Sequence, residues 1–283
     1  MQRVLPSTDQ RNSVHRLGFG CVALAGLGSA RQARDLLEGI LDLGIRHFDT
    51  APVYGRGYSE RVLGDFLRGR RQQVSIATKF GLAPGHATRL PVWLALRLNA
   101  LRRRLRANSA RSGTLPTGDP PAAYAETALH RIGRAEVEAS FDASRRALGT
   151  DTIDLYLLHE ALPSSLEPAA VDFLLKLREA GKVGQLGVAA RGSRYLALAP
   201  AELADWDVLQ YEYGPAWPRH AEVPARFPSK IHIFHSCLRG VARDGEAPGR
   251  ALAYCVSANP NGRVLFSSTN LVHIRDNVRA LRA

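Results

Sequence analysis

The chain has 283 residues, 45% of them apolar, with 38 Lys and Arg against 26 Asp and Glu for a net charge of +12. That length suits one large α/β domain or two small ones, and the apolar fraction is ordinary for a globular protein. Three cysteines (Cys21, Cys237 and Cys255) with no CxxC pairing argue against a disulfide framework or a zinc cluster and point to a reducing cytosol.

The first residues, MQRVLPSTDQRNSVHRLG, lack the apolar stretch of a secretory signal, and no 18-residue apolar run follows. The expectation is therefore a cytoplasmic chain without a transmembrane segment. From there short β-type runs alternate with helical patterns, which is the signature of a parallel sheet assembled from βα units. The strands read as Leu17–Val22, Ile45–Asp49, Val74–Lys79, Leu155–Leu158, Gly184–Val188, Val208–Tyr211, Ile231–His235 and Val264–Ser267. Helical patterns fall at Ala30–Leu43, Ser59–Arg68, Arg134–Leu148, Ala169–Ala180 and Ala251–Ser257. No GxGxxG turn follows the first strand, which removes the main support for an open dinucleotide-binding sheet. Eight units then favour an α/β fold of the closed (β/α)8 TIM-barrel type, over residues 1–283 as one domain. In such a barrel, functional groups gather at the C-terminal ends of the strands. Asp49, Lys79, His159, Gln210 and His235 all stand at such an end or just beyond it.

One segment interrupts the rhythm. Residues 81–134, after the third strand, carry nine arginines against Asp119 and Glu126, a net +7 that leaves only +5 for the rest of the chain. Trp93, Leu94, Leu98, Leu101 and Leu105 recur there at helical spacing with arginines between them, and a Gly/Pro/Ser/Thr-rich stretch follows. This insert reads as a solvated amphipathic helix packed on the barrel, as a lid over the site, or as a surface for an anionic partner or membrane. The charge is local and no nucleic-acid motif accompanies it, so no nucleic-acid partner is expected.

The polar residues at the strand ends suit one chemistry. Reducing a carbonyl needs a hydride donor and a proton for the nascent alkoxide. A tyrosine gives up that proton more easily beside a lysine ammonium, an aspartate holds the lysine, and a neutral imidazole binds the substrate oxygen. The blocks LDLGIRHFDTAPVYGRGYSERVLGDFL, VSIATKFG and DTIDLYLLHE strongly resemble the aldo-keto reductases, and GKVGQLGV, LQYEY and FSSTNLVHIRDN continue the likeness in order. The resemblance implies an NAD(P)H-dependent oxidoreductase with Asp49, Tyr54, Lys79 and His159 as its catalytic set and Tyr54 as the acid. It implies Gln210 and His235 at the nicotinamide, and Ser268, His273 and Asn277 at the adenosine end. The implied cofactor is NADPH, with NADH possible, and no metal is required.

Some positions depart from the family. Ala189 and Ala190 replace its usual Ser-Asn after the fifth strand, His235 replaces an aromatic ring, and Ser267 and His273 replace the Lys and Arg that read the 2′-phosphate. The expected partner is a small carbonyl compound, anionic or bulky if the insert serves as a lid, acted on by a monomer or weak oligomer. A second reading, motivated by the departures, is a cofactor-sensing barrel with little turnover.

Overall fold

The computed structural model describes residues 13–82, 131–217, 219–241 and 247–281. The arginine-rich insert of residues 81–134 lies almost wholly outside the described residues. Eight parallel strands close into a barrel in sequence order: β1 (Leu17–Gly20), β2 (His47–Asp49), β3 (Ser75–Phe80), β4 (Ile153–His159), β5 (Val183–Ala189), β6 (Val208–Glu212), β7 (Ile231–His235) and β8 (Arg263–Phe266). Closure comes from β1 pairing with β8 in the register Leu17↔Val264, Gly18↔Leu265 and Phe19↔Phe266.

Outside the strands lie α1 (Ala30–Asp42), α2 (Tyr58–Leu67), α3 (Arg134–Leu148), α4 (Pro168–Glu179), α5 (Gly192–Tyr195), α6 (Glu222–Arg226), α7 (Ala247–Ser257) and α8 (Leu271–Ala280). α1 begins at Ser29, whose hydroxyl accepts a bond from the Gln32 amide, and turns Ala33, Leu36, Leu37 and Ile40 inward. That 3–4 spacing is one apolar stripe of a 3.6-residue helix.

Strand parity sorts the side chains into two cores. In β3, Ile76 and Phe80 pack outward under the helices, while Ala77 joins the lumen with Leu155, Leu157, Ala189, Val208, Ile233 and Leu265. Lys79, two residues after Ala77, must point into the lumen as well. Lumen packing is tight at Gly18, where an added Cβ would stand 2.5 Å from Leu265 Cδ2 and 2.7 Å from His47 Cδ2.

Several details differ from the sequence reading. The first strand is shorter than Leu17–Val22, because the chain turns at Cys21 into a 3-10 helix, Cys21–Gly26. Helix α7 starts at Ala247, ahead of Ala251. Helix α8 has no counterpart among the helical patterns: it buries only Ile274, Asn277 and Val278, too thin a stripe to stand out in a polar segment.

Candidate active site

At the C-terminal end of the lumen is a cavity of about 450 Å³. Its floor takes one residue from the end of each strand: Gly20, Asp49, Lys79, His159, Ala189, Gln210, His235 and, one residue past β8, Ser267. Tyr54 joins them from the β2–α2 connection. That connection is strained by design, for Gly55, Arg56 and Gly57 take φ of 60°, 56° and 79° in succession. Glycine supplies the left-handed conformation at two of the three positions without steric cost. At Gly55 a side chain would also strike Ala25 Cβ, 2.8 Å away.

The charged centre is compact. Lys79 Nζ donates to Asp49 Oδ1 at 2.6 Å and to the Thr50 carbonyl at 2.9 Å, and it stands 3.4 Å from the Tyr54 hydroxyl. Gln210 Nε2 donates to the other carboxylate oxygen of Asp49 at 2.8 Å. Asp49, Lys79 and Gln210 are each 2% exposed. Two buried charges are tolerated here because each is paired and hydrogen-bonded, as burial requires. The Tyr54 and His159 rings meet edge to face with centroids 6.2 Å apart.

Burial tends to lower the Lys79 pKa, but Asp49 and Tyr54 outweigh it and hold the ammonium above its ordinary range. The tyrosine behaves differently from the sequence expectation of a phenol made more acidic by lysine. Burial raises the Tyr54 pKa by more than Lys79 lowers it, so the net direction is upward. The resting phenol therefore keeps its proton. Burial, then Lys79 and His235, push the His159 imidazole well below its usual range, and its buried Nδ1 has no hydrogen-bond partner among the described residues. His235 is lowered to about 4, by burial first and Lys79 second. Both imidazoles are neutral near pH 7.

The cavity thus gathers Asp49, Tyr54, Lys79, His159, Gln210 and His235. Ser268, His273 and Asn277 do not line it. Ser268 Oγ accepts from the Asn270 amide and donates to the Asn270 carbonyl, while Asn270 caps α8. His273 is exposed and Asn277 buried on α8. A second hollow of about 380 Å³ lies beside this segment, between Gly26–Gly28 and Thr269 and Leu271. The hydroxyl of Ser267 is spent on the Gly20 carbonyl at 2.7 Å, joining the ends of β8 and β1.

Sequence reading passed over several contributors. The Thr50 hydroxyl donates to Ser59 Oγ, which donates to the Cys21 carbonyl, tying both ends of the Tyr54 connection to the 3-10 helix that follows β1. Glu60, 2% exposed, accepts from Thr78 Oγ1 at 2.7 Å on the outward side of β3, next to Lys79. Its place in GYSE within the first block was the available signal. At the mouth, the Arg239 guanidinium lies 4.5 Å over the Trp217 ring, and Arg239 is part of the cavity wall. Among the described residues no helix is long and apolar enough to cross a membrane, and no His, Cys, Asp and Glu side chains group as metal ligands.

Comparison with known proteins agrees with the barrel fold. The chain is 33% identical over 160 residues to a pyridoxal 4-dehydrogenase of Microbacterium luteolum, covering 52% of this chain and 40% of that protein. It is 32% identical over 209 residues to a D-threo-aldose 1-dehydrogenase of a Pseudomonas species, covering 70% of this chain and 56% of the relative. The alignments thus span about half the length of these curated relatives. The fold matches an aldo-keto reductase of Klebsiella pneumoniae solved in complex with NADPH, with a TM-score of 0.63, 18% identity, and coverage of 95% of this chain and 86% of the other. The sequence pattern described as the aldo/keto reductase family matches residues 16–227, and the chain belongs to that family.

Proposed function

We propose that the chain reduces an aldehyde or ketone to an alcohol, or runs the reverse reaction, with NADPH as the hydride donor and NADH as the alternative. The observation that carries this reading is the Tyr54 hydroxyl 3.4 Å from an ammonium that is itself fixed by Asp49 at the floor of a cavity. The cofactor, when bound, supplies and accepts the hydride. The lining suits such a ligand, since Gln210 offers a buried carboxamide at the floor and Arg239 a cation at the mouth. Gln210 commits one amide N–H to Asp49, which leaves its other N–H and its carbonyl oxygen for a ligand. Ser268, just before α8, and exposed His273 and buried Asn277 on that helix are proposed to meet the adenosine end. The NADPH preference draws on the Klebsiella structure, because Ser267 is already bonded to Gly20.

The protein's part in the reaction is proton delivery. Neutral His159 donates a hydrogen bond to the carbonyl oxygen and orients it toward Tyr54. As negative charge develops on that oxygen, Tyr54 passes its proton across, and the phenolate left behind faces Lys79. Asp49 and the Thr50 carbonyl hold Lys79 protonated and stationary throughout, so little reorganisation accompanies the transfer. An anionic or bulky substrate is supported by Arg239 at the mouth, and a cytoplasmic location and a monomer or weak oligomer complete the reading.

The test mixes purified protein with NADPH or NADH and a panel of aldehydes, ketones and quinones, and follows reduced-nicotinamide absorbance. Tyr54→Phe is expected to cut turnover by about a hundredfold or more while cofactor titration stays unchanged. Full turnover in Tyr54→Phe refutes the acid role. Tight cofactor binding by the unaltered protein without turnover on any compound supports the sensor reading instead.

A further inference from the structure

Beyond β7 the chain bends sharply at Ser236, where φ is 57°, and Ser236 to Arg239 form one wall of the cavity. Cys237 is the buried member of that wall, 2% exposed, and its thiol donates to the His235 carbonyl at 3.7 Å. Directly behind it α7 presents Cys255, fully buried. Each thiol perturbs the other, Cys255 raising the pKa of Cys237 and Cys237 lowering that of Cys255. Both lie against Gly214, where an ideal Cβ would sit 3.7 Å from Cys237 Cα and 3.8 Å from Cys255 Sγ. The Cys21 thiol, by contrast, donates to the Phe19 carbonyl at 3.7 Å, with no second sulfur among its described hydrogen-bond partners.

We propose that Cys237 and Cys255 are a modification site, a dithiol that hydroperoxides oxidise to a disulfide joining the cavity wall to α7. The pair is arranged for two successive displacements. One sulfur, as the thiolate, attacks the O–O bond of the peroxide and becomes a sulfenic acid, and the alkoxide or hydroxide released takes up a proton. The second sulfur, giving up its own proton, then attacks the sulfenic sulfur, forms the S–S bond and expels hydroxide, which leaves as water. Two thiols and one hydroperoxide thus yield a disulfide, an alcohol or water, and a further water. The peroxide is the oxidant and the dithiol the two-electron reductant. Access is through the cavity, since Cys237 belongs to its lining while Cys255 lies behind it.

The geometry also gives the modification a consequence. A disulfide holds its sulfurs about 2.05 Å apart, well inside the contact distance of two unbonded sulfurs, so bond formation draws the Ser236–Arg239 wall toward α7. His235, whose Nδ1 bonds Ser236 Oγ at 2.9 Å, moves with it. Displacements of about 1 Å at a reacting centre cost up to about a hundredfold in rate.

The experiment treats the reduced full chain with hydrogen peroxide, blocks remaining thiols with an alkylating agent, and measures intact mass and unreduced peptides. The expected result is loss of two hydrogen masses, a Cys237–Cys255 cross-linked peptide reversed by dithiothreitol, and alkylation of Cys21 alone. Cys255→Ser is expected to give no cross-link and to keep its activity before oxidation. Overoxidation of Cys237 without a cross-link, or reaction of all three thiols at one rate, overturns the proposal. This readout is independent of the carbonyl-reductase reading. The effect on the site does rest on that reading: turnover of the cross-linked protein is expected to fall at least about tenfold and to return on reduction. A cross-linked protein with undiminished turnover overturns that consequence.

Discussion

Replacing Lys79 with Met keeps the length of the side chain and removes the ammonium that stands 3.4 Å from the Tyr54 hydroxyl. At that separation, with an effective dielectric of about 20, the attraction between the ammonium and a phenolate is about 5 kcal/mol. Asp49 opposes it, since its Oδ1 lies 2.6 Å beyond the ammonium. The carboxylate is thus no more than about 6 Å from the hydroxyl and repels the phenolate by at least about 3 kcal/mol. Two outcomes bound the variant. If Asp49 stays ionised, the whole attraction is lost and proton transfer slows by about three to four decades. If the orphaned carboxyl takes up a proton, its repulsion vanishes too and the net loss is about 2 kcal/mol, roughly thirtyfold. The measurement is the single-turnover rate of reduced-nicotinamide consumption at saturating carbonyl substrate. Lys79→Met should also unfold earlier, because breaking a buried pair costs about 3–5 kcal/mol. Adding Asp49→Asn should recover much of that stability and settle the rate near the smaller loss. A decrease of less than about tenfold in Lys79→Met, in a folded protein, would show that the ammonium does not stabilise the phenolate.

Other expectations follow from single contacts. Gln210→Leu removes the 2.8 Å bond to Asp49 and should cost about 1.5–3 kcal/mol of stability, the range for a hydrogen bond to a charged group, with weaker nicotinamide binding in a fluorescence titration. Glu60 carries a carboxyl raised above its ordinary value, chiefly by burial. The native state therefore binds this proton more tightly than the unfolded chain, and stability falls as pH rises from the unfolded pKa through the raised one. Glu60→Gln, which preserves an acceptor for Thr78, should flatten that part of a denaturant-midpoint profile against pH. An unchanged slope would count against it. Gly18→Ala places a methyl 2.5 Å from Leu265 Cδ2 and 2.7 Å from His47 Cδ2, an overpacking expected to lower stability by about 1–3 kcal/mol in thermal unfolding.

Much of the site could be read from the chain because its members break local rules. A lysine closing the run Ser-Ile-Ala-Thr, or a histidine after Leu-Tyr-Leu-Leu, has no packing use at the end of a buried strand, so each stands out. Asp49 and Lys79 belong to successive strands, and successive strands in a parallel barrel are neighbours. Their contact was therefore accessible before any coordinates. The bond from Gln210 to Asp49 was not, because it crosses the lumen between β6 and β2. The facing thiols of Cys237 and Cys255 were equally hidden, since a strand end and a helix interior give no common spacing. Helix α8 escaped notice because its inward stripe includes Asn277, a polar residue where an apolar one signals burial. The β1 boundary was missed because Cys21 and Val22 continue the apolar run into a turn.

The direction of the Tyr54 shift could not be read from residue types at all, and it bears on how the site works. Lysine beside tyrosine suggests a phenol poised to ionise, but the balance depends on how far water is excluded. Here burial outweighs the cation, so the proton stays on oxygen well into alkaline solution. A proton donor needs that state, and the alkoxide formed from a carbonyl is a far stronger base than a phenolate. In the proposed reaction transfer is then downhill, with Lys79 acting on the product of the step rather than on the resting acid. Alcohol oxidation has the opposite demand, because it needs the phenolate before reaction begins. In the proposed reaction this arrangement of four side chains therefore favours reduction near neutral pH. It leaves oxidation to gain with each rise in pH, as the small ionised fraction of Tyr54 grows.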